Sequence, residues 1–274
     1  MPKISVIMPA YNAGQTLGAS VESILNQSFG DFELIVIDDA SEDETAILIE
    51  GFISRDARVR SARNDRNLGI TRTRNLGLSM AKGDYVAWQD ADDISLPDRL
   101  SKQVAFLESH PEVALLGGYL QLFDATGDLG LRTYPLEDDK LRRMMFRFSP
   151  VAQPSAMVRM AVLRQVGYFD ESLNVAEDLD MSFRIAARHR LANLDEALIR
   201  YRNSQTSSTR KRLREMELVS VGIRFRAMRS GDFRVSGWDL LYNLAHLISI
   251  GLIPPGIKLW LFERLRTRKS TSNI

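Results

Sequence analysis

Residues 4–39 read ISVIMPAYNAGQTLGASVESILNQSFGDFELIVIDD. Two apolar, β-branched runs, at 4–8 and 34–37, flank a segment in which Leu17, Val21, Ile24 and Leu25 recur at i, i+4, i+7 and i+8, the spacing of one helix face. The pattern predicts strand, helix, strand, and it continues outward. A helix is expected over 44–54, a weaker strand over 59–62, a helix over 71–81 and a strand over 85–88, a βαβαβαβ succession. Buried strands alternating with helices form a mostly parallel central sheet with helices on both faces, a Rossmann-like α/β fold. Ligands then bind beyond the carboxyl ends of the strands.

The residues just past those ends are polar. Pro9, Ala10, Tyr11 and Asn12 follow the first strand, Asp38-Asp39-Ala40-Ser41-Glu42-Asp43 the second, and Gln89-Asp90-Ala91-Asp92-Asp93 the fourth. Neither G-x-x-x-x-G-K-[ST] nor G-x-G-x-x-G is present, which excludes a P-loop or an ordinary dinucleotide site. Asp90 and Asp92 stand two residues apart at a strand end, where a turn promoted by Asp92-Asp93 and closed off by Pro97 aims both at one ligand. Hard carboxylate oxygens suit Mg2+ or Mn2+, with water and substrate phosphates filling the remaining positions. A second reading makes the acidic loop a cap for the next helix, with Asp98 near the N-cap of 99–107.

A chain of 274 residues suffices for one large α/β domain with an appendage. At 45% hydrophobic and 26% charged residues it is neither disordered nor wholly membrane-embedded. The absence of cysteine excludes disulfides, thiolate nucleophiles and cysteine-held zinc. Because MPKISVIMPAYN runs straight into a strand, no secretory leader is expected and the cytoplasm is the expected compartment. The net charge of +1 conceals two bodies: from Arg200 onward there are 15 Lys and Arg against 5 Asp and Glu, and 21 against 30 before it. The basic tail suits an anionic surface, whereas the acidic body repels polyanions. Of the three histidines, none has an evident partner in the sequence.

Four stretches taken in order, ISVIMPAYN (4–12), LIVIDDASED (34–43), NLGITRTRNLGLSMAKGDYVAWQDADD (67–93) and AEDLDMSFR (176–184), resemble family 2 glycosyltransferases of the nucleotide-diphospho-sugar transferase (GT-A) fold. The resemblance implies a catalytic domain at 1–209, with a nucleotide-binding half (1–110) and an acceptor-binding half (111–209). It implies inverting transfer of a sugar from a UDP- or dTDP-sugar to an acceptor hydroxyl, with Mg2+ or Mn2+ as cofactor. Position by position, Pro9, Ala10, Tyr11 and Asn12 match the loop around base and ribose. Asp39 matches the acceptor of the base imide, Arg74 the basic residue reaching toward base and phosphates, and Asp90 and Ala91 the ribose side. Asp92 matches the metal ligand and Asp178 the general base. Tyr168 and Glu177 fall on the acceptor side.

Residue by residue, blander readings stand beside these. Residues 38–43 also read as a surface turn, Arg72 and Arg74 as a solvated helix face, and Tyr168 and Phe169 as core. Glu177-Asp178 also reads as a cap on a helix built from Leu179, Phe183 and Ala186. Strands over 113–123 and 156–159 are expected to build the acceptor half. One departure stands out: in Tyr201-Arg202-Asn203-Ser204, Ser204 occupies a position where many relatives carry histidine. The Gln-x-x-Arg-Trp motif of processive synthases is absent, which implies transfer of one sugar at a time.

The tail, 210–274, opens on Arg210-Lys211-Arg212-Leu213-Arg214, and 240–257 holds no charged residue over 18 positions. That is the lower edge of a membrane span, and Asn243, His246, Pro254 and Pro255 interrupt it. The expectation is an interfacial helix pair, aided by Trp238, Trp260 and the cations of 264–269. Packing on the catalytic domain or on another subunit is the alternative. The expected partners are a nucleotide sugar, a glycan or lipid-linked glycan acceptor and an anionic membrane surface on the inner face of the cell membrane, with no nucleic acid. A metal-dependent sugar nucleotidyltransferase and a noncatalytic nucleotide-sugar-binding scaffold are the competing functions.

Overall fold

The structure, a computed structural model, describes residues 1–203, 212–254, 256–258 and 267–268. Its first half is the expected succession. Strands β1 (Ile4–Ala10), β2 (Phe32–Asp38), β3 (Val59–Arg63) and β4 (Tyr85–Trp88) run parallel in the order β3-β2-β1-β4. Between them lie α1 (Leu17–Leu25), α2 (Thr45–Arg55) and α3 (Ile70–Met80).

All seven residues of β1 and all seven of β2 are buried, because both faces of the sheet are covered. Ile4, Val6, Met8, Leu34 and Val36 meet Leu17, Val21, Ile24 and Phe52 on one side, while Ile7, Val86 and Trp88 meet Leu78, Phe169 and Phe183 on the other. Such strands read as continuous apolar runs rather than as alternation. Helix α3 lies so close to β1 that a Cβ on Gly77 would sit 2.5 Å from Ile7 Cγ2.

Beyond β4 the sheet becomes mixed. The remaining elements are β5 (Ile94–Ser95), α4 (Arg99–Ser109), β6 (Val113–Asp124), β7 (Gly127–Arg132), α5 (Asp138–Met145), β8 (Met157–Arg159), α6 (Met160–Val166), α7 (Glu177–Ala186) and β9 (Arg190–Arg202). β8 inserts antiparallel between β4 and β6, and β6 and β7 form a hairpin. β9 runs parallel to β6 and antiparallel to β5. With β10 (Thr267–Arg268) the order is β10-β7-β6-β8-β4-β1-β2-β3. Parallel pairing thus runs through β1 to β4, where the crossover helices lie, and recurs between β6 and β9, while β5, β7, β8 and β10 pair antiparallel.

Helices α8 (Leu213–Ser230) and α9 (Gly237–Leu252) follow. α8 rests on α7, and α9 on α8. Between them Phe233 sets its ring 5.9 Å from Phe146 and 5.3 Å from Phe183. Arg224 Nη2 donates to Arg147 O at 2.8 Å, and the fully buried Asn243 donates to Phe146 O at 2.9 Å. His246, which looked partnerless in the sequence, has its Nε2 3.2 Å from Glu217, a carboxylate shared with Lys258 at 3.0 Å. Both helices thus pack on the body of the chain, as one of the readings of the tail expects. Among the described residues no helix is long and apolar enough to cross a membrane. Ser204, 205–211, Pro255, Trp260, 264–266 and Lys269 lie outside the described residues.

Candidate active site

The loops after β1 and β2 are laced together. Asn12 N–H donates to Ser41 Oγ at 2.9 Å, Asn12 Oδ1 accepts from Glu42 N–H at 2.9 Å, and Ala13 N–H donates to Thr45 Oγ1 at 2.8 Å. The bonds hold Asn12 and Ala40 at φ 48° and 62°, a left-handed conformation uncommon for residues other than glycine. Pro9 and Ala10 end β1 as buried strand residues, and Tyr11, 48% exposed, opens outward. Asp39 is no surface turn. It is buried, and its carboxylate accepts from Asn64 Nδ2 at 2.7 Å, Leu68 N–H at 2.8 Å and Gly69 N–H at 2.9 Å. A carboxylate has about four acceptor positions, so a single lone pair on Oδ2 stays open.

The turn expected at 90–93 is present, with Asp93 N–H donating to Asp90 O at 3.2 Å. Gln89, fully buried, ties it down: its Nε2 donates to Ser20 Oγ at 3.0 Å and Asp93 O at 2.9 Å. Ala91 is buried inside the turn. Asp98 occupies the N-cap of α4 without a side-chain capping bond, so capping is not what the acidic run does. Asp90 and Asp92 stay partly exposed, whereas Asp93 turns inward and accepts Arg202 N–H at 2.8 Å. Arg202 Nε also donates to Asp92 O at 3.0 Å, which brings the end of β9 onto the turn.

Burial, then repulsion from Asp90, pushes the Asp92 carboxyl up to about 6. The same two causes, with Asp92 added, push Asp93 well above the ordinary carboxylate range. Arg99 lies beneath them, fully buried among Gln103, Gln89, Ser95 and the Trp88 carbonyl, and burial brings it down to about 9. Crowded hard oxygens under mutual repulsion are what a divalent cation relieves. Among the described residues no three carboxylate or imidazole side chains converge on one point. Asp92 and Asp90, both partly exposed, could supply at most two side-chain ligands, so an ion such as Mg2+ or Mn2+ would have to take its other ligands from substrate oxygens and water.

Opposite the turn stands α7. Its N-cap, Ala176, is left-handed at φ 57°, and this sharp entry sets Glu177 and Asp178 toward Arg74. Arg74 is buried over the adjoining rings of Trp88 and Phe169 and joins the turn to α7, with Nη1 2.6 Å from Glu177 Oε1 and Nη2 3.1 Å from Asp90 Oδ1. It is no solvated helix face. Burial opposes its charge, but Asp90, Glu177 and Asp178 outweigh that and raise its pKa. Asp178 is raised by burial, and the Arg74 charge, the Leu179 N–H and the Ser149 hydroxyl, 3.4 Å away, offset part of this. Glu177 is raised by burial too, against the pull of Arg74.

Phe169 is core, 5.1 Å from Trp88. Tyr168 lines an open cleft of about 440 Å³ with Asn64, Leu68, Arg72, Asn75 and Glu171, across α3 from Arg74, and is not grouped with Asp178. The sequence reading missed Gln89, Arg99, Ser149 and the contact made by Arg202. A signal for Arg99 existed: with Gln103 it falls on the same helical face as Leu100, Val104 and Leu107, a polar pair where apolar residues belong.

The fold is that of the nucleotide-diphospho-sugar transferases. PcManGT, a mannosyltransferase from Pyrobaculum calidifontis solved with GDP-Man and Mn2+, matches with a TM-score of 0.67 over 96% of this chain and 80% of its own, at 18% identity. S. aureus TarS 1-349 with UDP-GlcNAc matches with 0.64 over 81% and 66%, at 24% identity. This chain spans 39% of the chain in a longer TarS structure. EpsE of Bacillus subtilis, a protein assigned to the glycosyltransferases, is 37% identical over 77% of this chain and 76% of its own. An uncharacterised glycosyltransferase of Methanocaldococcus jannaschii is 32% identical over 80% and 77%. Residues 5–167 match the model of Glycosyl transferase family 2. The chain belongs to that family.

Proposed function

We propose that the protein is an inverting, divalent-metal-dependent glycosyltransferase that moves one sugar from a nucleotide-diphosphate donor to an acceptor hydroxyl. The observation that carries the reading is the Arg74 bridge, which sets the Asp178 helix against the D-x-D turn at the strand ends. In this reading Tyr11, Asn12 and the backbone at Pro9 and Ala10 border the base and ribose. The open lone pair of Asp39 takes a base N–H, which favours a UDP- or dTDP-sugar. TarS and PcManGT were solved with UDP-GlcNAc and with GDP-Man and Mn2+, and they support a nucleotide-sugar donor of that general class.

The acceptor oxygen attacks the anomeric carbon as its proton passes to Asp178, and the bond to the diphosphate breaks on the opposite face, inverting the centre. Asp178's raised pKa gives it a stronger hold on that proton than an ordinary carboxylate has. Asp92, with Asp90 beside it, would hold a divalent cation, which would supply charge neutralisation for the departing diphosphate. The acceptor is proposed to be a lipid-linked glycan of a surface polysaccharide, with the enzyme cytoplasmic and peripheral on the inner face of the membrane. The basic, apolar tail supports that placement.

Titration calorimetry with UDP-, dTDP- and GDP-sugars, with and without Mn2+, tests the donor site. A Mn2+-dependent heat with at least one of them is expected, and Asp92→Ala should abolish the dependence. Asp178→Asn should bind donor normally and turn over roughly 100- to 10,000-fold more slowly, the range for loss of a general base. A protein that binds none of the three, or an Asp178→Asn variant with full turnover, defeats the proposal.

A further inference from the structure

Helix α9 is turned inside out. At about 100° per residue, its inward residues Asp239, Asn243, His246 and Ile250 fall in one narrow arc, and three of the four are polar. Asp239 closes a capping box with Ser236, Asn243 holds the Phe146 carbonyl and His246 meets Glu217. The outward residues Leu240, Leu241, Leu244, Leu247, Ile248 and Leu252 are 42–76% exposed, and they sweep an arc of about 140°. A helix that covers a soluble core shows the opposite arrangement.

The surroundings of this face say what covers it. Trp238, 73% exposed, stands at the start of the helix, and the exposed apolar surface continues through Ile253 and Ile257. The only acidic residue of α9, Asp239, is buried. Exposed Arg229 closes α8 and exposed Arg234 lies in the link to α9, against a single exposed acid there, Asp232, and the chain from Arg200 onward carries 15 basic against 5 acidic residues. A two-helix seam between copies uses a narrower stripe. A broad aliphatic face with tryptophan at its end and cations at its margin is chemistry for an anionic lipid interface.

We propose that α9 lies in the surface of an anionic bilayer, inserting Leu240, Leu241, Leu244, Leu247, Ile248 and Leu252 among the lipids. Its buried side then fixes the catalytic domain to that surface. Asn243 and Arg224 hold the carbonyls of Phe146 and Arg147, and Ser149, two residues on, contacts Asp178. Residues 146–149 thus link the docking helix to the candidate base. Docking stands on the helix face alone, while its use, meeting a lipid-borne acceptor, rests on the transferase reading.

The test is flotation of the full chain with phosphatidylcholine–phosphatidylglycerol vesicles and with pure phosphatidylcholine vesicles, beside the double variant Leu244→Glu/Ile248→Glu. The wild type should float with the anionic vesicles and roughly tenfold less with the neutral ones. The double variant should partition about a hundredfold more weakly, with donor binding by calorimetry unchanged. Loss of donor binding in the wild type strikes the transferase reading and leaves the docking result to stand. A blue shift of wild-type tryptophan emission on adding anionic vesicles is expected and depends on no variant. Wild type left at the bottom of the gradient, a variant that floats equally well, or release of wild type by high salt alone overturns the proposal. So does a wild-type dimer that binds no vesicles and that the double substitution splits, which would make the face a contact between copies.

Discussion

Asp39 and Asp92 are both carboxylates just past strand ends, yet their surroundings differ. Asp39 is locked by three donors of its own chain. Asp92 is squeezed by burial and by Asp90 up to about 6. The sign of its effect on stability follows from linkage. Between its unfolded pKa, about 4, and its folded value the native state binds more protons than the unfolded one, so stability falls as pH rises through that window. Thermal denaturation in chelator should therefore show Asp92→Asn more stable than wild type at pH 7, and the advantage should vanish below about pH 4. Mn2+ should narrow the gap at pH 7 by favouring the ionised wild-type carboxylate. The position of Asp92 was legible from its place after an apolar run. Its raised pKa was not, because that depends first on burial, which the rest of the fold supplies.

Among the elements, α3 couples packing to the site within one turn. Its Gly77 faces Ile7, and Arg74 bridges the turn to α7. Gly77→Ala places a methyl 2.5 Å from Ile7 Cγ2, an overpacking that should cost about 1–3 kcal/mol in urea denaturation. It should also weaken donor binding in calorimetry, since a displaced α3 carries Arg74 with it. The elements β1 to β4 were readable because helical and strand periods are local properties of the chain. β8 escaped description as an antiparallel insertion: three apolar residues carry no record of which strands they join. The left-handed Ala176 at the head of α7 was equally silent, since alanine does not advertise a positive φ.

For the whole molecule, the acidic body and the basic tail are separate in composition but joined in structure. Asn243, with no exposed surface, is a chief joint. Asn243→Ala leaves the Phe146 carbonyl without that partner and should cost about 1–3 kcal/mol. Limited trypsin digestion should then cut at Arg229 or Arg234 sooner than in wild type, with the sheet intact.

By itself the sequence determined the alternating sheet, the carboxylates at its strand ends and the order of four motifs, all of them properties of neighbours along the chain. The tertiary structure alone decided that Arg74 meets Glu177, 103 positions away, and that Arg202 closes on Asp93, 109 positions away. Those meetings depend on how β8, β9 and α7 fold back across the sheet, a non-local outcome. It also decided which way α9 faces, for an apolar helix has the same composition with its leucines in or out. The buried hydrogen bond of Asn243 to the Phe146 carbonyl, with the contact of His246 to Glu217, turns its polar side inward.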